Sequence, residues 1–266
     1  MVCHGHVCGV YELAVDPRTG FLASASEDYS VFLWNLEKRD VIFLVGEDGP
    51  IVKGHVAFAA SAPRLAVGEI EAHETVNSVL VIDLDKGKEV FREKLKPDDG
   101  VCALAISGDG TKLIYGTAVW DLRGDAVLHR RDLVHLREDW RKIFQETYFC
   151  QLLFRAAEQQ LVASVMLLGY DGGSAVYLID AASGIVEHTY SAKDHLAIAL
   201  SPTENLVVCT HDGGQVDLLR LPTFQLEKRL AKDERARRGL CSVAFSPDGK
   251  TVVVGDSDGR LTVFAR

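Results

Sequence analysis

Leu240-Cys-Ser-Val-Ala-Phe-Ser-Pro-Asp-Gly249, then Lys250-Thr-Val-Val-Val-Gly255, then Arg260-Leu-Thr-Val-Phe264, is the stretch that decides the fold. Its first run alternates apolar and polar residues, the pattern of a strand with one buried face. Ser246-Pro247-Asp248-Gly249 is a turn with a mechanism. Proline presets φ at the second position, and glycine accepts the positive φ that other residues resist. Val252, Val253 and Val254 form a β-branched run suited to burial on both faces. Ser257-Asp258-Gly259 then turns the chain into a third strand.

Working outward, the same spacing recurs along the whole chain. An apolar residue precedes another by nine positions across a turn in Leu13/Leu22, Val56/Leu65, Leu104/Leu113, Leu152/Leu161, Ala197/Leu206 and Val243/Val252. The turn itself returns as Asp16-Pro17-Arg18-Thr19-Gly20, Ser107-Gly108-Asp109-Gly110 and Ser201-Pro202-Thr203-Glu204-Asn205. A fourth strand follows in most units, as in Asp40-Val-Ile-Phe-Leu44 and Lys88-Glu-Val-Phe91. Four short antiparallel strands per unit of about 45 residues make a propeller blade. One blade cannot bury both faces, but stacked blades can, and a closed ring protects sheet edges. The expectation is an all-β, six-bladed β-propeller of four-stranded antiparallel blades. The blades fall at roughly 5–44, 50–94, 99–146, 147–191, 194–231 and 238–266, the last joined by residues 1–4, in one domain of 266 residues.

The first unit carries further detail: Gly5-His6, Leu22-Ala-Ser24-Ala-Ser-Glu-Asp28 and Val31-Phe-Leu-Trp34-Asn35. On these residues the chain resembles the WD-repeat β-propellers. The resemblance is sharp in the first repeat and degenerate elsewhere. It implies a hydrogen-bonded row within the blade, formed by His6, Ser24 (or Ser26), Asp28 and Trp34. Asn35 stands where the family's Trp-Asp dipeptide has Asp. Phe264 takes the Trp place in repeat six, and Leu219 or Arg220 falls near it in repeat five.

Composition narrows the function classes. A formal net charge of −9 opposes non-specific grip on nucleic acid, which needs a basic footprint. No apolar run approaches the ~18 residues of a membrane span. No basic segment followed by an apolar core opens the chain, so no signal peptide is expected. Of the six cysteines, Cys102, Cys150 and Cys241 fall at similar points of first strands. They read as small buried hydrophobes rather than a disulfide framework, which favours a reducing, cytoplasmic or nuclear location.

Several motifs have a plain structural explanation. Cys3-His4-Gly5-His6-Val7-Cys8 has zinc-type ligands, but the spacing fits no closed site and the blade row already uses His6. No metal or cofactor is expected. Trp120-Asp121 looks like the diagnostic dipeptide. Yet gap-free alignment from Leu65, Leu113 and Leu161 equates Asp83, Asp132 and Asp180, which puts Trp120 in a second-to-third-strand hairpin. A rival register would make Val119-Trp120-Asp121-Leu122-Arg123 resemble the Trp-Asp-x-Arg box of cullin ubiquitin ligase substrate receptors. The basic stretch Lys228–Arg238 reads as a solvated loop, diluted by Asp233 and Glu234. His55, His73, His188, His195 and His211 are scattered over different repeats. No motif pairs a nucleophile with a base, so no catalytic residue is assigned.

The functional expectation is therefore a non-enzymatic protein-interaction scaffold. In the family resembled, second-to-third-strand loops share one face. They would bring His73, Trp120, Arg123 and Tyr170 together toward a protein or peptide partner, since Trp, Tyr and Arg anchor interfaces. Against this stands a Trp120 that packs only its own hairpin. A substrate receptor of a cullin ubiquitin ligase, and a small-ligand or enzyme site at the central channel, are the rival functions. Blade six ends after its third strand, with only Met1-Val2-Cys3-His4 ahead of Gly5-His6. Closure is expected to be weak and the outer edge of blade six partly open to a partner strand. In this respect alone the chain resembles the open six-bladed propellers of vesicle coats and nuclear-pore scaffolds. Pairing by Val2-Cys3, or by residues further N-terminal, would close that edge instead.

Overall fold

A computed structural model describes residues 5–26, 28, 30–38, 40–45, 54–69, 77–96, 99–119, 126–155, 159–168, 173–192, 196–211, 214–232, 240–256 and 258–266. They contain twenty-three strands and no helix. The fold is a six-bladed β-propeller, five blades having four antiparallel strands and the last three. Two compact units divide the chain, Met1–Gln145 and Glu146–Arg266.

The first unit holds three sheets. Blade one is β1 (Val10–Val15), β2 (Leu22–Ser26), β3 (Val31–Asn35) and β4 (Asp40–Val45). Blade two is β5 (His55–Phe58), β6 (Arg64–Glu69), β7 (Ser78–Asp83) and β8 (Lys88–Lys94). Blade three is β9 (Asp99–Ile106), β10 (Lys112–Val119), β11 (Ala126–Asp132) and β12 (Arg137–Phe144). Ala23, Ala25, Val31 and Leu33 pack on Val56, Leu65, Val67, Leu80 and Ile82 between blades one and two. Ala66, Val79 and Val81 pack on Val101, Leu104, Leu113 and Tyr115 between blades two and three. Removing such apolar area from water is what holds one sheet on the next.

The second unit repeats the plan. Blade four is β13 (Thr147–Arg155), β14 (Gln160–Leu167), β15 (Ser174–Asp180) and β16 (Val186–Ala192). Blade five is β17 (Leu196–Leu200), β18 (Leu206–His211), β19 (Gln215–Arg220) and β20 (Gln225–Lys232). Blade six is β21 (Leu240–Phe245), β22 (Thr251–Asp256) and β23 (Leu261–Ala265). Val162, Val176 and Leu178 meet Ile198, Val207 and Leu219 between blades four and five. Val208, Val216 and Leu218 meet Val252 and Val254 between blades five and six.

The turn chemistry read from the sequence is present. Gly249 takes φ 68° and its N–H reaches the Ser246 carbonyl at 2.9 Å. Ser246 Oγ donates to Asp248 at 2.6 Å, and Ser107 and Asp109 repeat that bond at 2.6 Å in blade three. The gap-free alignment also holds. Leu65 faces Ile82, Leu113 faces Arg131 and Leu161 faces Ile179, so Asp83, Asp132 and Asp180 each end a third strand. Their carboxylates accept the backbone N–H groups of Lys86, of Val134 and His135, and of Ser183, closing the turn to the fourth strand. β10 ends at Val119 and β11 begins at Ala126, so Asp132, not Asp121, holds the dipeptide's Asp place in blade three.

One part of the pattern is not uniform. Val56, Leu104, Leu152 and Ala197 are buried, but Leu13 is 61% exposed. It lies on the face of β1 turned away from blade two, which Ala14 faces instead.

Candidate functional site

The row expected in blade one is assembled. Asp28 is a carboxylate and can only accept, so His6 Nδ1–H donates to it, at 2.9 Å. His6 Nε2 is hydrogen-bonded to Ser24 Oγ at 2.6 Å, and Ser24 Oγ accepts Trp34 Nε1–H at 2.7 Å. Ser24, rather than Ser26, is therefore the serine of the row. The Ser26 oxygen instead accepts the Asp28 backbone N–H at 3.2 Å. His6 stacks on Phe32 with ring centroids 4.3 Å apart. A Cβ on Gly5 would come within 2.6 Å of Phe32 and Trp34, so the Gly-His pair is a steric requirement. Burial pushes the Asp28 carboxyl up, but hydrogen bonds from Ser30, the Val7 N–H and His6 outweigh it and hold it below the usual carboxylate range.

Serine, histidine and aspartate in this order have the connectivity of a nucleophile, base and orienting acid. Here they do not form a reaction centre. Ser24 is 2% exposed, and its oxygen is occupied by the indole N–H. A substrate carbonyl has no approach, and the extra donor lowers the nucleophilicity of the oxygen.

Other blades fill the same places differently. Register puts Tyr115 where blade one has Ser24, His129 at Phe32 and Arg131 at Trp34. Tyr115 stacks on His129 at 4.8 Å, and Arg131 donates to Glu93 of β8 in an ion pair, its Nε at 2.6 Å. His129 meets Glu138 at 3.2 Å. Burial, with Glu93 nearby, pushes the Tyr115 phenol up, and burial pushes the His129 imidazole down. In blade five Asp217, on β19, is fully buried. It accepts both Arg229 Nε at 2.7 Å and Gln215 Nε2 at 2.6 Å, with Tyr190 at 3.5 Å. Burial pushes the Tyr190 phenol up to about 12. Neither cluster was apparent in the sequence as a motif. The signal for the second was a carboxylate inside the apolar run Val216-Asp217-Leu218-Leu219, which demands a cationic partner.

Among the described residues, no group of three or more His, Cys, Asp or Glu side chains could hold a metal ion. Cys102 and Cys209 are buried thiols outside any disulfide, as is the half-buried Cys150, whose thiol burial pushes up to about 11. No helix of the described residues is long and apolar enough to cross a membrane. The expected partner-binding residues His73, Trp120, Arg123 and Tyr170 lie outside the described residues. So does His195. Each of the four belongs to a stretch between a second and a third strand: β6 to β7, β10 to β11, and β14 to β15.

At blade six the described sheet stops at β23, whose one neighbour there is β22. Phe264 faces Val252 and packs toward blade five, in the place that Trp34 occupies opposite Leu22. Arg220, facing Leu206, takes that place in blade five.

Residues 1–35 and 234–264 match the family model described as WD domain, G-beta repeat. No curated protein sequence is similar to the chain. Among solved structures, a chain of "Crystal Structure of Mitotic Checkpoint Complex" is similar at 15% identity and a TM-score of 0.75, over 99% of this chain and 76% of that one. The β-propeller domain of Myceliophteria thermophila Cps50 (Swd1) is similar at 16% identity and a TM-score of 0.75, over 98% of this chain and 83% of that one. At these identities the likeness is one of fold.

Proposed function

We propose that this chain, a WD-repeat β-propeller, is a non-enzymatic protein-interaction scaffold. One observation carries the reading. Among the described residues, the polar clusters inside the blades are tied up in structural contacts: Ser24 and His6 bond to each other in blade one, the Tyr115 ring stacks on His129 and Arg131 pairs with Glu93 in blade three, and Asp217 holds Arg229 in blade five. What remains for function is the surface of a rigid scaffold, chiefly its loops. The stretches bearing His73, Trp120, Arg123 and Tyr170 are the proposed contact, with a protein or peptide as partner. That one similar chain is titled as part of a multiprotein complex agrees with this role. The buried thiols suit a reducing compartment, and we place the protein in the cytoplasm or nucleus.

Affinity capture from the native host tests the reading, with wild type beside Trp120→Ser. The expected result is a stoichiometric protein partner whose capture falls about tenfold in the variant, as loss of one aromatic anchor implies, at unchanged thermal midpoint. Absence of any stoichiometric partner would overturn it.

A further inference from the structure

We infer that the turn between β11 and β12 of blade three, Leu133-Val-His-Leu136 with Arg137, docks a short segment of a protein partner that brings an apolar side chain and a carboxylate. The inference rests on the scaffold reading and adds a second contact surface to it. β11 runs from Ala126 to Asp132, so the stretch bearing Trp120 and Arg123 precedes the strand and this turn follows it.

The turn places a leucine where the backbone asks for glycine. Four residues on from the end of the third strand, blade two has Gly87 at φ 60° and blade four Gly184 at φ 70°. Blade three has Leu136 there at φ 52°, and blade five Phe224 at φ 57°. A residue with a Cβ is disfavoured in this left-handed region, because the Cβ crowds the following carbonyl. In Phe224 burial offsets the strain: its ring is 6% exposed and packs with Val207, Leu219 and Tyr190. Leu136 has no such compensation among the described residues. It is 62% exposed, and Val134, two residues before it, is 61% exposed. Leu133 of the same turn packs into the core between blades two and three. Strain held beneath an exposed apolar pair marks a place where burial comes from outside the chain.

Charge beside the pair selects the partner's second feature. Asp132 accepts Lys112 Nζ at 2.9 Å, His135 Nδ1–H at 2.9 Å and the backbone N–H groups of Val134 and His135. Asp139 faces Lys112 Nζ at 3.0 Å, Arg130 Nε at 3.4 Å and Arg137 Nε at 3.7 Å. Two carboxylates thus face three permanent cations and one imidazole. Arg137 makes the longest of these contacts, beyond hydrogen-bond length, to a carboxylate that two closer cations share. Its side chain is 68% exposed, next to Leu136 in sequence. It is the cation available to a carboxylate from outside, which arginine can hold by two parallel bonds. A chain of net charge −9 is repelled by an anionic lipid surface, whereas one carboxylate at Arg137 meets the local cationic excess. A peptide segment is therefore the occupant.

The probe is a displayed library of random dodecapeptides, depleted on Leu136→Gly and then selected on the wild-type full chain. The expected survivors carry an apolar residue close to Asp or Glu. They should bind Leu136→Gly and Arg137→Glu each about tenfold more weakly than wild type, the scale of one lost anchor. Leu136→Gly should keep or raise the thermal midpoint, because Gly87 and Gly184 already serve at that place. A lowered midpoint would make Leu136 a requirement of the fold and overturn the inference. So would a selection with no survivors, or survivors that bind wild type and either variant equally. Co-sedimentation with phosphatidylserine vesicles that is lost in Leu136→Gly would overturn it in favour of a lipid surface. Each of these failures leaves the scaffold reading intact, since that reading turns on a stoichiometric host partner and Trp120.

Discussion

Blades one and six contain the two segments that match the same family repeat, yet they are stabilised by opposite means. In blade one a polar chain runs Trp34 to Ser24 to His6 to Asp28, crosses three sequence segments and sits under a four-stranded sheet. In blade six Phe264 stands in the Trp place, Val254 stands where Ser24 would be, and the described sheet has three strands. A buried polar row fixes one arrangement, because each unpaired member would carry a desolvation cost. The equivalent places of blade six are filled by apolar side chains, held by contact area. The difference separates a blade whose inner face is fixed by directional bonds from one whose inner face is fixed by packing.

Substitutions at the two equivalent aromatic positions test this contrast with the largest effect. Trp34→Ala should destabilise the chain by about 3–5 kcal/mol, the range for deleting a buried aromatic. Phe264→Ala, at a half-buried position, should cost clearly less, as read from urea midpoints. Equal losses would break the comparison. Next comes Asp28→Ala, which leaves His6 Nδ1–H and the Val7 N–H without their acceptor. It should cost about 1–3 kcal/mol, and an unchanged melting temperature would contradict the row.

The pH dependence follows from the same carboxyl. Its folded value lies below the ordinary one, so its contribution is complete above the unfolded value of about 3.9 and is lost as pH falls through the folded value. Asp28→Asn should therefore narrow its stability gap to wild type on acidification below about pH 4, measured by chemical denaturation at each pH. A gap that stays constant would remove Asp28 as the source. Smallest of all, Leu261→Thr should shift stability by no more than about 0.5 kcal/mol, as for other surface changes. A loss of several times that would place Leu261 in a packed environment.

Much of this contrast could be read from the chain. The alternation around Ser246-Pro247-Asp248-Gly249 and the recurring Asp83, Asp132 and Asp180 are local signals of the residues themselves, while the row in blade one was legible only through the family resemblance that its residues carry. Blade three's network was not legible because it is not local. Glu93 reaches Arg131 from the neighbouring blade, and Tyr115 and His129 meet only through the β10–β11 register. Leu13 shows a second limit. Periodicity says that a strand has an apolar face, but not whether another sheet covers it.

Exchange of the Trp34 indole N–H in the full chain, followed by NMR, tests the contrast most directly. The account predicts slow exchange in wild type, because Trp34 is buried and its N–H donates to Ser24 Oγ, and clearly faster exchange in Asp28→Ala, which breaks the row at its other end. Fast exchange in wild type, equal to that of the variant, would show that the row does not hold the blade, and would contradict the account.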